Sequence, residues 1–122
     1  MRHRLPAWLV LLAAPQAFAH AILIDSTPAP LAHIRAGHLD LVFRYNSRID
    51  AGRSKITLKR PDQTTTRLDL TASATEDELN SSLDLAPGDY TASWQVLATD
   101  GHITRGNVPF TVDPPPAAPG AQ

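Results

Sequence analysis

The chain has 122 residues, 11 Lys and Arg against 12 Asp and Glu, a formal net charge of −1 and no cysteine. That length suits one domain. The balanced charge gives neither a basic footprint for nucleic acid nor an acidic disordered tail, and the lack of thiols excludes disulfides and thiolate metal sites.

The first expected element is a secretory signal. Arg2, His3 and Arg4 precede an apolar stretch from Leu5 to about Phe18, and Ala17-Phe18-Ala19 forms an A-x-A cleavage signal. The stretch is shorter than the roughly 20 residues that span a bilayer and carries Pro6 and Pro15, so residues 1–19 read as a cleaved signal rather than an anchor. Arg2 and Arg4 are not adjacent, which points to the general secretion route. Cleavage would make His20 the mature amino terminus and remove the only methionine, leaving 9 Lys and Arg against 12 Asp and Glu, a net charge of −3. Any metal would then be held by nitrogen and oxygen alone.

The mature chain reads as short strands. An opening strand is expected near His20 to Asp25, followed by apolar alternation along Leu39, Leu41, Phe43 and Tyr45. Ile56 and Leu58, Leu68 and Leu70, and Leu79, Leu83 and Leu85 continue the pattern. The clearest run is Tyr90, Ala92, Trp94, Val96 and Ala98, and Val108, Phe110 and Val112 close the domain. Turn chemistry divides these runs at Pro28 and Pro30, Asp50-Ala51-Gly52, Pro61-Asp62, Pro87-Gly88 and Gly101 to Gly106. Seven strands with no long helical period predict an all-β fold, a single antiparallel immunoglobulin-like Greek-key sandwich. Leu85 to Tyr90 resembles the tyrosine corner of such folds, and residues 69–78 have room for a helical turn that nothing demands. Four prolines within residues 114–119 predict an unpacked tail over 114–122, which bounds the domain at 20–113.

Strand direction sorts the histidines. If successive strands reverse, the chain start and the connection between the sixth and seventh strands lie at one end of the sandwich. His20 and Asp100-Gly101-His102 then share that end. His33, in the connection after the first strand, and His38, opening the second, fall at the other end, roughly 17 to 20 Å away. These two read as solvated rim histidines, with a second weak metal site as the alternative.

A histidine at a free amino terminus is a special ligand, because its amine and its own Nδ1 close a six-membered chelate ring. The amine has an ordinary pKa of about 7.7 to 8.0 and loses its proton readily when a metal competes. His102 would add a third nitrogen and Asp100 an oxygen. Three nitrogens and one carboxylate suit tetragonal Cu(II), and zinc would accept the same groups tetrahedrally. On the residues alone a plainer reading stays open, in which Asp100 only shapes a turn and His102 sits in solvent.

His20-Ala21 after the cleavage point, Ser26-Thr27-Pro28-Ala29, Leu41-Val42-Phe43, Leu85 to Tyr90 as L-x-P-G-x-Y, Trp94, Asp100-Gly101-His102, Gly106 and Phe110-Thr111-Val112 together resemble the CopC family of periplasmic copper-resistance proteins. The likeness runs in order along His20 to Val112. It implies a small immunoglobulin-like or cupredoxin-like sandwich that carries one Cu(II) per mature chain in the periplasm, with His20 and its amine, Asp100 and His102 as ligands. Some members also hold Cu(I) in a methionine-rich loop after the second strand. Residues 46–54 contain no methionine, so that second site is not expected.

The resemblance implies a non-catalytic copper carrier or buffer in copper homeostasis or resistance, with an inner-membrane copper transporter of the CopD type as a possible partner. Two other classes compete: a copper oxidase or monooxygenase built on an amino-terminal histidine chelate, and a metal-free envelope interaction module. The five aromatics beyond residue 19, Phe43, Tyr45, Tyr90, Trp94 and Phe110, all fall on inward-reading positions. That leaves no aromatic face for a polymeric substrate and favours the carrier. A carboxylate ligand also favours Cu(II) over Cu(I), which slows redox cycling.

Overall fold

Apolar alternation builds two sheets that pack face to face. The computed structural model describes residues 21–116, within which eight strands follow in chain order. They are β1 (Leu23–Thr27), β2 (His33–Arg35), β3 (Gly37–Tyr45), β4 (Ile49–Lys59), β5 (Thr65–Arg67), β6 (Glu78–Leu85), β7 (Gly88–Ala98) and β8 (Ile103–Asp113). One sheet has the order β1-β3-β6 and the other β2-β8-β7-β4-β5. The alternating positions meet between them: Leu41, Phe43 and Tyr45 of β3 are buried with Ile56 and Leu58 of β4, Ala92, Trp94 and Val96 of β7, and Val108, Phe110 and Val112 of β8. Each of the larger of these side chains contributes about 1.5 to 3 kcal/mol through removal from water, which makes this row pattern the main source of stability. All five aromatics among the described residues are buried as expected. Tyr45 meets Trp94 edge to face at 5.1 Å, and Tyr90 stacks on Phe110 at 5.6 Å.

The strand count differs from the expected seven because of β2. It pairs in parallel with β8 through His33, Ile34 and Arg35, so His33 lies in an edge strand and not in a connection. A three-residue strand with one apolar residue has no readable alternation, and only its pairing to β8 makes it a strand. Strand reversal is also not strict, since β1 and β2 run the same way before the chain turns back into β3. The two ends nevertheless keep the histidines sorted, because β2 continues the direction of β1 in the opposite sheet and leaves every later direction unchanged.

Three further boundaries move. Asp50-Ala51-Gly52 is not a turn but an irregularity inside β4, where the register slips between Asp50 opposite Leu97 and Lys55 opposite Gln95. Buried Ser54 bridges the slip, its hydroxyl donating to the Asp50 carbonyl at 2.6 Å and accepting from the Leu97 amide at 3.1 Å. The strand expected at Leu68 and Leu70 is the short β5, ending at Arg67, although Leu68 is buried and its amide bonds the Ile56 carbonyl. Gly106 belongs to β8 rather than to a turn, and a Cβ there would lie 2.4 Å from Cζ2 of Trp94. The glycine is thus a seat for the indole, not a turn residue.

The tyrosine corner forms as expected, with Tyr90 Oη donating to the Ala86 carbonyl at 2.7 Å. No helix occurs among the described residues, and residues 69–77 run irregularly with a single bridge from Thr71 to Asn80. Residues 114–116 lie exposed beyond β8. The signal segment, His20 and the rest of the tail lie outside the described residues.

Candidate metal centre

The Asp100-Gly101-His102 segment lies in the hairpin connection between β7 and β8, whose loop is Thr99-Asp100-Gly101. It is closed by the Ala98 amide on the His102 carbonyl at 2.8 Å and by the Gly101 amide on the Ala98 carbonyl at 2.9 Å. Gly101 has φ of 93°, the left-handed residue that completes a three-residue hairpin loop. Nothing lies within 4 Å of the place its Cβ would take, so glycine is required by conformation and not by space. The Thr99 amide donates to the Arg48 carbonyl at 3.2 Å and ties the loop to the β3–β4 connection.

Asp100 both shapes the turn and faces the histidine. Its Oδ1 accepts the His102 amide at 3.0 Å, while Oδ2 lies 3.2 Å from His102 Nδ1. The two side chains are 37% and 44% exposed, although His102 Nδ1 itself is buried against the loop. The 3.2 Å separation is that of an imidazole–carboxylate ion pair, and it also lets both groups meet one ion with bonds of about 2.0 to 2.2 Å. They are also the donor types that Cu(II) accepts. Among the described residues no third His, Asp or Glu joins them.

The amino-terminal segment reaches this same end. Ala21 is fully buried, and its carbonyl accepts a hydrogen bond of 2.7 Å from Thr104 Oγ1, two residues past His102. Ile22 is held on both sides by Asn46, its amide donating to Oδ1 at 2.8 Å and its carbonyl accepting from the Asn46 amide at 3.0 Å. Sequence reasoning missed both anchors. Thr104 carried a signal, a polar residue on the inward-reading row of Val108, Phe110 and Val112, whereas Asn46 carried none.

His33 and His38 lie at the opposite end. His33 pairs with Thr111, eight residues along β8 from Ile103, which at about 3.3 Å per residue puts it roughly 26 Å away. Both histidines are ion-paired, a refinement of the solvated reading. His33 Nδ1 is 2.8 Å from Asp113 Oδ1, and that hydrogen bond and charge, with a smaller contribution from Asp89, raise its pKa above the ordinary value. His38 lies between two carboxylates, with Nε2 2.9 Å from Asp40 and Nδ1 3.3 Å from Asp84. Asp40 raises the His38 pKa most, and Asp84 adds to it. The Ser82 hydroxyl, donating to Asp40 at 2.7 Å, keeps that carboxylate below its usual range together with His38.

Comparison with known proteins fits this architecture. The chain is 27% identical to the protein YobA of Escherichia coli (strain K12) over 117 residues, 92% of this chain and 94% of that one. Its structure is similar to that of CopC from Methylosinus trichosporium OB3b, with a TM-score of 0.71 and 28% identity over 78% of this chain and 95% of that one. PcoC, a copper resistance protein from Escherichia coli, shares the fold at a TM-score of 0.64 and 18% identity, over 75% of this chain and 99% of that one. The CopC domain model matches residues 23–113, which span the strands β1 to β8 and the Asp100-Gly101-His102 loop, and the chain belongs to the CopC family.

Proposed function

We propose that this protein is an exported, periplasmic Cu(II) carrier or buffer that binds one ion per mature chain through the amine and imidazole of His20, the carboxylate of Asp100 and the imidazole of His102. The ion is cargo and not a catalytic centre. The observation that carries the reading is the bond from Thr104 to the Ala21 carbonyl, which fastens the residue after His20 to the strand that follows His102. That bond supports the reading because it holds Ala21 against β8 two residues past His102. Family membership supplies the expectation of copper, and a donor set of nitrogen and oxygen without sulfur suits Cu(II). The burial of all five aromatics supports a carrier over an oxidase that would need an exposed platform. A CopD-type membrane transporter is the partner this role implies.

Dialysis of the processed chain against Cu(II), followed by metal analysis and electron paramagnetic resonance, tests the proposal. One tightly held ion with a tetragonal signal is expected. His102→Ala should weaken binding by more than the roughly 10- to 100-fold typical of changes around a metal ligand. Undiminished stoichiometric binding by that variant would overturn the assignment.

A further inference from the structure

The ladder between β1 and β3 begins at Leu23 opposite Tyr45 and slips in register before Asp25. Residues 21 and 22 therefore stand beyond its end. Chain ends of that kind fray unless something ties them down. Here three bonds do so: Thr104 Oγ1 to the Ala21 carbonyl at 2.7 Å, the Ile22 amide to Asn46 Oδ1 at 2.8 Å, and the Asn46 amide to the Ile22 carbonyl at 3.0 Å. The Thr104 bond spans 83 positions of sequence, and its acceptor belongs to a residue with no exposed surface. The donor sits on β8, the strand that leaves the Asp100-Gly101-His102 turn.

We infer that Thr104 and Asn46 are positioning residues that hold the amino-terminal segment at the Asp100-Gly101-His102 turn before the ion arrives. The inference rests on the copper site proposed above. Its physical content is preorganisation. An ion that joins the chain start to a loop some 80 positions away must otherwise order the intervening end on every binding event, and each residue so fixed loses backbone freedom. With Ala21 and Ile22 already fixed, that loss falls on folding and not on binding. Thr104 touches no ion in this scheme and acts only through the strand it fastens.

The experiment compares the processed parent chain with Thr104→Val, Thr104→Ser and His102→Ala. Valine keeps the shape of threonine without the donor, and serine keeps the donor. Two quantities are read: Cu(II) affinity by competition with a chelator, and amide hydrogen exchange at Ile22 and Ala98 in the copper-free protein. Thr104→Val should bind Cu(II) about two- to tenfold more weakly, the range one hydrogen bond spans. It should also speed exchange at Ile22 while leaving Ala98, which reports the turn, unchanged. Thr104→Ser should restore both. A purely structural role would lower the melting temperature yet leave the affinity of the folded chain untouched, and that result overturns the inference. If His102→Ala loses copper while Thr104→Val binds as the parent does, the site stands and the positioning role falls. If His102→Ala binds as tightly as the parent, the site itself is wrong and the role falls with it.

Discussion

Single residues at the two ends of the sandwich do different work, although both ends use histidine and aspartate. Asp100 and His102 are joined by a loop that fixes their distance, whereas His38 lies between two exposed carboxylates on neighbouring strands, Asp40 of β3 and Asp84 of β6. The His38 arrangement is a protonation-dependent tie between β3 and β6. Its folded-state pKa is raised above the ordinary 6.5, so the proton is bound more tightly in the folded chain. The resulting stabilisation is fully present below about pH 6.5 and is lost as pH rises through the raised value. In copper-free protein, His38→Ala should therefore lower the melting temperature at about pH 5.5, and the difference should close by about pH 9. Equal differences at both pH values would show that the ring packs but does not pair. Added salt should shrink the low-pH difference, because the groups are exposed.

At the scale of elements, β7 and β8 carry both the centre of the core and the candidate site. Trp94 of β7 lies over Gly106 of β8, its cross-strand partner, and fills the space a side chain would need. Gly106→Ala would put a methyl 2.4 Å from Cζ2 and 2.6 Å from Cε2 of the indole. Overpacking of this kind costs about 1 to 3 kcal/mol, and each kcal/mol lowers the melting temperature of a domain this size by about 4 to 8 °C. Trp94 is the only tryptophan beyond residue 19, so its fluorescence should report the displacement directly. A variant melting within about a degree of the parent would show that the ring has room to move.

The same elements show what the sequence made legible. Alternation along β3, β7 and β8 identified the inward residues, and those residues are the core. It failed where hydrogen bonding, not burial, defines the strand. His33-Ile34-Arg35 is a strand only because β8 offers an edge, and Asp50-Ala51-Gly52 has the composition of a turn but continues as a bulged strand over Ser54. Gly106 was misplaced for a related reason, since a glycine required by an indole looks the same in sequence as one required by a turn. The Asp100-Gly101-His102 turn was readable because its spacing dictates its shape. Thr104 and Asn46 act through backbone groups 83 and 24 positions away, and no local pattern encodes such distances.

The described residues form a sandwich with the candidate site at one end. β1 and β8 both start there, β3 and β7 both finish there, and the ion-paired histidines close the other end. Under the proposed site, copper binding depends on where the chain begins. In an unprocessed chain the nitrogen of His20 is an amide to Ala19, with its lone pair delocalised into the peptide bond, and the six-membered chelate is lost although every side chain remains. Cleavage would then confine tight binding to the exported protein. The decisive measurement is a Cu(II) competition titration of two forms, one beginning at His20 and one with a single additional residue before it, with far-ultraviolet circular dichroism to establish equal folding. The form beginning at His20 should bind far more tightly, while both fold alike. Equal affinity would remove the amine from the site and contradict a chelate built on the mature amino terminus.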